Sequence, residues 1–230
     1  MNVPTGKAEI SAPVPRCARL DAMTHAMGTV PSVPLKTPRR RRVDTARRAD
    51  LLEQVTGIFL AEGFTAVSVD DLARRLRCSK ATLYAVGATK EQLVIAAAKH
   101  FFRSEADHIE QAVAACADPQ AKITTYLQGV AHAMRRNSPA FYADMVGYPP
   151  TAQIYARNTA RAAERIREMI DQGVRDGAFR ATDGAFAAQV VALAIEAVQS
   201  GTLLERTGLS AAESFAELAD LLFNGLRQAG

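Results

Sequence analysis

The stretch SVDDLARRLRCSKATLYAVGATKEQL, residues 68–93, decides the fold of this 230-residue chain. It contains three helix starts in quick succession, because Ser68, Ser79 and Thr89 each offer a side-chain oxygen that can cap a helix N-terminus. Gln92 follows Thr89 at the spacing of a capping box. Two short helices joined by so tight a turn indicate a helix-turn-helix, whose second helix enters the major groove of DNA.

Two lysines sharpen the DNA-binding interpretation. Lys80 and Lys90 each lie in the first turn of a predicted helix, where a cation opposes the helix dipole by about 0.3–1 kcal/mol. A phosphate group facing each lysine would remove that cost and accept hydrogen bonds from the free N–H groups of the helix start. The alternative is two solvated lysines without a partner, but two together beside a hydroxyl-rich helix favour the phosphate.

Residues 52–93 resemble the tetracycline-repressor (TetR) family of bacterial transcription regulators. The resemblance rests on LEQVTGIFLAEGF, SVDDLA, CSKATLY and TKEQL, in that order. It implies an all-α fold, with an N-terminal three-helix helix-turn-helix domain before a C-terminal helical bundle for dimerisation and ligand binding. Two departures from the family pattern are Arg77, where the turn usually has glycine, and Val86-Gly87 in place of an aromatic pair. We expect Gly87 to leave a void or to shift the next helix start.

Composition excludes several classes of protein. A hydrophobic content of 48% supports a real core, yet no apolar run is long enough to span a membrane. The three cysteines and four histidines are too widely scattered for a disulfide framework or a metal site. We find no phosphate-binding loop and no nucleophile motif. The sequence therefore predicts a cytoplasmic protein that is not an enzyme and has no cofactor, no metal and no membrane partner, and the TetR resemblance implies that it is bacterial.

Positive charge is concentrated around the motif. Residues 38–103 carry a net charge of +6, whereas residues 104–230 carry −4 and residues 1–37 carry +2. A surface that binds phosphates requires this distribution.

The N-terminal segment divides into an arm and a domain. Residues 1–38 are rich in proline and predict a disordered arm, followed by Arg39, Arg40, Arg41 and Arg42. These arginines form either a solvated charge run or a flexible arm that follows phosphates or enters a minor groove. We predict a first helix over residues 44–62, a DNA-binding domain over 39–92 and a ligand-binding and dimerisation domain over 93–230, with about nine helices in all.

The C-terminal helices carry their own signals. A long helix from Thr89 to about Cys116 can connect the two domains, and Asp118-Pro119 and Ser138-Pro139 open the next two helices. A charged helix over residues 151–176 carries Arg157, Arg161 and Arg165 in one stripe, which we interpret as a solvated face. Ser210 and Glu213 predict a capping box for the last helix.

A single helix over residues 185–204 is predicted to be apolar on almost every side, so one face should meet another subunit. Packing of the last two helices against their symmetry mates predicts a two-fold homodimer, as the TetR resemblance also implies. The predicted interface residues are Val191, Ile195, Val198, Phe215, Leu218 and Leu222.

Other site residues follow from the motif and from the polar and aromatic side chains of the C-terminal helices. Besides the four arginines, the predicted DNA-binding residues are Ser68, Arg77, Ser79, Lys80, Ala81, Thr82, Tyr84, Ala85 and Lys90. The predicted ligand-binding residues are Phe101, Tyr126, Phe141, Tyr142, Met145 and Gln189.

The leading hypothesis is a transcriptional regulator, a repressor released from a double-stranded DNA operator by a small molecule. The resemblance implies that the ligand moves the long helix and so changes the spacing of the two recognition helices. The alternative is a helical small-molecule-binding or scaffolding protein with a degenerate helix-turn-helix, which Arg77 and Gly87 favour.

Overall fold

The structure, a computed structural model, describes the backbone of residues 38–226 and the side chains of 45–226, apart from those at 212 and 223. Every regular element in this part is an α-helix, which confirms the all-α prediction. The ten helices are α1 (Pro38–Glu62), α2 (Val69–Arg75), α3 (Lys80–Tyr84), α4 (Lys90–Ala114), α5 (Pro119–Arg135), α6 (Pro139–Gly147), α7 (Pro149–Arg175), α8 (Gly184–Gln199), α9 (Thr202–Thr207) and α10 (Ala211–Leu226).

Helix α1 is longer than the sequence predicted. It begins at Pro38 instead of residue 44, so the backbone of Arg39–Arg42 is helical and does not form the flexible arm that was one of the two interpretations. Proline at the start of a helix is favourable, because its missing N–H has no intrahelical partner there. The side chains of these four arginines, and the predicted arm over 1–37, lie outside the described residues. At its other end α1 stops at Gly63, whose φ of 78° is the left-handed C′ conformation that was predicted.

The three predicted caps around the helix-turn-helix are confirmed. The Ser68 hydroxyl accepts from the Asp71 N–H at 3.1 Å, and the Ser79 hydroxyl accepts from the Thr82 N–H at the same distance. Thr89 caps α4 by accepting from the Gln92 N–H at 3.2 Å. The Gln92 side-chain oxygen accepts a hydrogen bond from the Ala88 N–H and not from the Thr89 N–H, so the capping box is shifted by one residue.

Local signals also located the later helix starts. Asp118, Ser138 and Asp183 each accept a hydrogen bond from the first turn of the helix that follows. The predicted box between Ser210 and Glu213 forms at the start of α10, with hydrogen bonds in both directions. These caps stabilise helix ends that packing alone would leave with unpaired N–H groups.

One predicted helix is two helices. The segment predicted as a continuous helix over 185–204 breaks after Gln199, where Gly201 adopts a φ of 80°, and α9 follows. A left-handed residue cannot continue a right-handed helix, and glycine adopts that conformation without the strain of a side chain. This break accounts for ten helices in the described part where about nine were predicted.

Buried side chains form two clusters that cut across the predicted boundary at residue 92. The first cluster joins α1–α3 with the first part of α4 and with α6, through Phe59, Phe64, Phe101 and Phe141. The second joins the later part of α4 with α5, α7, α8 and α10, around Ile123, Ile166 and Ile170. Helix α4 contributes to both clusters, so it connects the helix-turn-helix to the C-terminal bundle.

The residues of α8 that were predicted to contact a second subunit lie on its buried face. Val191, Ile195 and Val198 are at most 6% exposed, and Phe215 of α10 is 5% exposed, all within the core of a single chain. Leu218 and Leu222 are half-buried against the same core. Four of the six predicted interface residues are therefore already covered within one subunit, which leaves them little surface for a partner.

The opposite side of α8 remains uncovered. Phe186, Val190 and Leu193 are 72%, 45% and 56% exposed, and they follow one another at helical spacing. On α10, Leu221 is 69% exposed. We call these four side chains the exposed apolar face.

Candidate nucleic-acid interface and ligand cavity

The helix-turn-helix is anchored by two fully buried leucines. Leu72 of α2 and Leu83 of α3 have no exposed surface, and both belong to the first core cluster. The remaining side chains of α3 are exposed or half-buried, including Tyr84, which is 41% exposed. A short helix held by one leucine and otherwise open to solvent has the form that insertion into a DNA groove requires.

The turn between α2 and α3 contains a strained residue. Arg77 has a φ of 48°. Among the described residues, it is the one residue other than glycine that has a positive φ. A side chain in this left-handed conformation costs roughly 1–2 kcal/mol, which glycine does not incur. Arg77 therefore adopts the geometry expected of a glycine, and its exposed guanidinium projects from the turn that precedes α3.

Lys80 has an internal partner. Its Nζ lies 2.6 Å from the Asp70 carboxylate of α2, and hydrogen bonding to Asp70 raises the pKa of Lys80. The argument that a cation at this helix start requires a phosphate is therefore weakened for Lys80, because Asp70 already offsets the cost.

Lys90 has no carboxylate partner within the described residues. Its Nζ donates a 3.2 Å hydrogen bond to the backbone carbonyl of Thr65, in the loop between α1 and α2. Arg48 of α1, which was not among the predicted site residues, makes a second contact of this kind. Its guanidinium donates a 3.2 Å hydrogen bond to the backbone carbonyl of Val86, just after α3. Position in the exposed first half of α1 was the one signal that could have identified Arg48.

Gly87 leaves no void. A Cβ at this position would lie 2.6 Å from the backbone nitrogen of Leu93 and 2.8 Å from the carbonyl carbon of Gln92. Glycine thus lets the end of the helix-turn-helix rest directly on the first turn of α4. The expectation of an empty space was wrong, because the backbone fills it.

The predicted DNA-binding residues of the motif all reach the surface. Lys90 and Thr82 are half-buried, and the others are exposed, namely Ser68, Arg77, Ser79, Lys80, Ala81, Tyr84 and Ala85. The hydroxyls of Ser68 and Ser79 are engaged in capping, so their first role is to hold α2 and α3 in place.

A cavity of about 760 Å³ lies among α4, α5, α7 and α8. Two of the predicted ligand-binding residues, Phe101 and Tyr126, line it. The other four do not: Phe141 and Met145 are buried in the first core cluster, Tyr142 contacts the cavity only through Tyr155, and Gln189 is exposed on α8. Phe141, Tyr142 and Met145 belong to α6, which contributes no side chain to the lining, whereas Gln189 belongs to a lining helix, α8, but is on its exposed side.

Aromatic rings connect this cavity with the helix-turn-helix core. Phe59 contacts Phe64, Phe64 contacts Phe141, and Phe141 contacts Phe101, with centroid separations of 6.0–6.3 Å and near-perpendicular planes. The row continues through Phe102 to Tyr155, both of which line the cavity. Edge-to-face contacts of this kind stabilise their pairs by about 0.5–1.5 kcal/mol beyond burial.

Two ion pairs stiffen the cavity wall. Arg136 lies 2.6 Å from Glu105, which is 9% exposed, and Arg165 binds Glu110 through two hydrogen bonds of 2.8 and 3.0 Å. A bidentate arginine–carboxylate pair has a fixed geometry, so it orients both side chains. Both carboxylates line the cavity and are neutralised by these partners.

Two tyrosines in the wall keep their phenols neutral. Burial raises the pKa of Tyr126 to about 12, and burial also raises the pKa of Tyr155. The Tyr155 hydroxyl donates a hydrogen bond to the side-chain oxygen of Gln199 on α8, which lines the cavity too. The wall therefore offers uncharged hydrogen-bonding groups among apolar ones.

Helix α6 is tied to the end of α1 by hydrogen bonds. The carboxylate of Asp144 accepts from the N–H groups of Phe64 and Thr65 at 2.7 and 2.8 Å. The N–H of Ser138 donates to the Leu60 carbonyl at 2.8 Å. Together these bonds satisfy backbone groups at a helix end and hold α6 against the DNA-binding half of the chain.

The described residues contain neither a membrane-spanning helix nor a cluster of metal ligands. No helix in that part is long and apolar enough to cross a membrane. No three histidine, cysteine, aspartate or glutamate side chains there are grouped so that they could hold a metal ion.

Residues 51–97 match the family model for bacterial regulatory proteins of the tetR family. This match spans α2, α3 and the adjoining parts of α1 and α4, and it confirms the TetR resemblance that the sequence indicated. No curated protein matches the chain closely enough to count as a relative.

Solved structures share the fold over most of the chain. A TetR-family transcriptional regulator, PfmR from Thermus thermophilus, is 26% identical with a TM-score of 0.55, over 77% of this chain and 99% of that one. A TetR/AcrR-family regulator from Thermobifida fusca is 22% identical with a TM-score of 0.61, over 80% and 100%. A structure from Saccharomonospora viridis, described as a transcriptional regulator in complex with choline, is 18% identical with a TM-score of 0.68, over 80% and 99%.

Proposed function

We propose that this chain, which has the fold and the helix-turn-helix of TetR-type transcriptional regulators, is a homodimeric repressor that a small molecule releases from its operator. The observation that carries the proposal is helix α4, which starts against the helix-turn-helix and also lines the cavity. A single element that contacts both sites provides a direct mechanical connection between them.

The DNA-binding half of the proposal rests on α3 and its surroundings. Leu83 anchors α3, while Tyr84 and the exposed alanines present a small surface that fits a major groove. Lys90 stands at the N-terminus of α4, where backbone N–H groups and a cation together suit a phosphate. The helical Arg39–Arg42 segment at the start of α1 would add phosphate contacts.

Release by a ligand rests on the cavity and the aromatic row. A molecule in the cavity would contact Phe102 and Tyr155. The ring contacts continue from Phe101 to Phe141, and from Phe141 to Phe64 beside the helix-turn-helix. A ligand shifts the DNA-binding equilibrium only if it binds the DNA-free arrangement of α4 and α6 more tightly than the DNA-bound one. The choline complex of the fold-related Saccharomonospora viridis protein supports the idea that such folds accommodate small molecules.

The homodimer of the proposal uses the exposed apolar face. Exposed side chains as large as Phe186, Val190 and Leu193 are unusual on a surface that stays in water. A two-fold axis beside α8 and α10 would bring each face against its own copy and form a four-helix interface. The two recognition helices would then contact successive half-sites of a palindromic operator.

The second candidate is a helical small-molecule-binding protein whose helix-turn-helix no longer binds specific DNA. The strained turn at Arg77 is the observation that favours it. Against it stand the caps of α2, α3 and α4 and the close contact of Gly87 with α4, because they hold the motif in the helix-turn-helix geometry that DNA binding requires.

Footprinting of the purified protein on the DNA upstream of its own gene tests the proposal. A protected region with two-fold symmetry, lost when a ligand of the cavity is added, is the expected result. Protection of no region at physiological salt, together with tight binding of a small molecule, would favour the second candidate.

A further inference from the structure

We infer that the cavity takes an amphipathic organic anion, that is, a molecule with an apolar body and one carboxylate or phosphate group. This inference rests on the proposed function, since it names the chemical class of the releasing ligand. It follows from the way that charge and burial are distributed around the cavity wall.

The closed part of the cavity is apolar. Its buried lining includes Phe101, Ile154, Ile166 and Ile195, each at most 8% exposed. A volume of about 760 Å³ is within the usual range of sites for small organic ligands. An apolar body of the ligand would leave water and fill this part.

The open part of the cavity is cationic. Five of the lining side chains are basic and three are acidic. Two of the three carboxylates, on Glu105 and Glu110, are already paired with arginines, so Asp107 is the acid that remains.

Four of the basic side chains have no such partner. Lys99 and Arg103 follow one another at i,i+4 on α4, and Arg157 and Arg161 do so on α7. All four are exposed, and within the described residues no carboxylate lies at ion-pair distance from any of them. The arginine stripe of α7, which the sequence suggested was only a solvated face, thus forms one side of the cavity rim.

This arrangement selects among ligand charges. A cation would meet four unpaired like charges at the rim, and a neutral molecule would gain nothing from them. An anion would gain charge-assisted hydrogen bonds from guanidinium groups, whose planar fork matches a carboxylate or a phosphate.

Four probes with one apolar body and different head groups test the inference by calorimetry on the full chain. Octanoate should bind at least about tenfold more tightly than octan-1-ol, as expected of one charge-assisted hydrogen bond, and more tightly than octyltrimethylammonium. Octyl phosphate in a parallel titration identifies which anionic head group the rim prefers. Equal or tighter binding of the alcohol or of the ammonium compound would overturn the inference, as would no binding of either anion.

Variants locate the site. The double variant Arg157→Gln/Arg161→Gln should weaken octanoate by about tenfold and leave octan-1-ol unchanged, whereas Arg206→Gln on α9 should change neither. Ala162→Phe, which fills the cavity from α7, should weaken all the probes while the far-ultraviolet circular dichroism stays that of the parent. Unchanged octanoate binding in both cavity variants would place the anion elsewhere and overturn the inference.

A separate assay distinguishes this inference from the proposed function. Fluorescence anisotropy of a labelled upstream DNA fragment is followed with and without saturating octanoate. Octanoate that binds as stated but leaves the DNA complex intact would support the inference and contradict release by ligand. DNA binding that persists in a chain with no affinity for either anion would overturn the inference and leave the DNA-binding proposal standing.

Discussion

The carboxylate of Asp144 in α6 accepts a 2.7 Å hydrogen bond from the backbone N–H of Phe64, which lies 80 residues earlier in the chain. The same oxygen accepts from the next N–H, that of Thr65, at 2.8 Å. One side chain of the C-terminal half therefore satisfies two backbone donors of the DNA-binding half, just where α1 ends.

Asp144→Ala should destabilise the protein by about 1–3 kcal/mol, because two N–H groups lose a charged acceptor. Urea denaturation followed by circular dichroism measures the change. Asp107→Ala is the matched control, since Asp107 is exposed and has no ion-pair partner in the described part of the chain. Equal midpoints for both variants would show that the bonds to Phe64 and Thr65 add nothing.

Arg77→Gly should stabilise the protein by about 1 kcal/mol, because glycine adopts the φ of 48° without steric strain. Arg77→Ala keeps the Cβ and removes the guanidinium, so it separates strain from charge. The thermal midpoint should rise for the glycine variant and stay near the parent for alanine. A rise of the same size for both variants would mean that charge repulsion, and not backbone strain, was relieved.

Gly87→Ala should destabilise the protein or displace α3 from α4, because the new Cβ would lie 2.6 Å from the Leu93 nitrogen. Gly57→Ala in the middle of α1 is the control, since nothing lies within 4 Å of its Cβ. Alanine there should stabilise α1 by up to about 1 kcal/mol through helix propensity. Opposite signs of the two changes in urea midpoint are expected, and a neutral Gly87→Ala would contradict the close approach.

Lys90→Ala should weaken binding to every DNA sequence by a similar factor, because a lysine that contacts phosphate carries no base information. The slope of log affinity against log salt should become shallower by about 0.9. Lys122→Ala on α5 is the control and should leave the slope unchanged. A change in sequence preference with Lys90→Ala would instead mean that this side chain reads bases.

Leu193→Glu or Leu221→Glu should dissociate the proposed dimer, because each places a charge in an interface that would exclude water. Light scattering at a fixed protein concentration measures the mass. Val146→Glu is the matched control, since Val146 is 43% exposed on α6, outside the exposed apolar face. Val191→Glu should unfold the chain instead of dissociating it, because Val191 has no exposed surface within one subunit.

A dimer that survives both face variants would move the interface to another surface. Loss of secondary structure in Leu193→Glu would contradict the assignment of that side chain to the outside of the fold.

The parts of this fold that the sequence predicted well depend on local chemistry. A serine or threonine hydroxyl three residues before a free N–H caps a helix in almost any surroundings, so the caps at Ser68, Ser79 and Thr89 were predictable. The order of the helices followed from those caps and from the glycine after α1.

The parts that were mispredicted depend on packing over long distances. Both faces of α8 are apolar, so periodicity could not decide whether Val191 or Val190 points inward, and the neighbouring helices α5, α7 and α10 made that choice. Likewise nothing in the sequence separated Phe141 from Tyr126 as a candidate ligand contact. In the structure Phe141 packs between Phe64 and Phe101 in the core, away from the cavity.

The placement of the tyrosines gives the protein an internal optical reporter. The chain has no tryptophan and five tyrosines, of which Tyr126 and Tyr155 line the cavity and Tyr142 packs edge-to-face against Tyr155. Three of the five tyrosines therefore lie in or beside one site. A molecule that enters the cavity would change their surroundings together, so unlabelled protein would signal its own occupancy through tyrosine emission and near-ultraviolet circular dichroism.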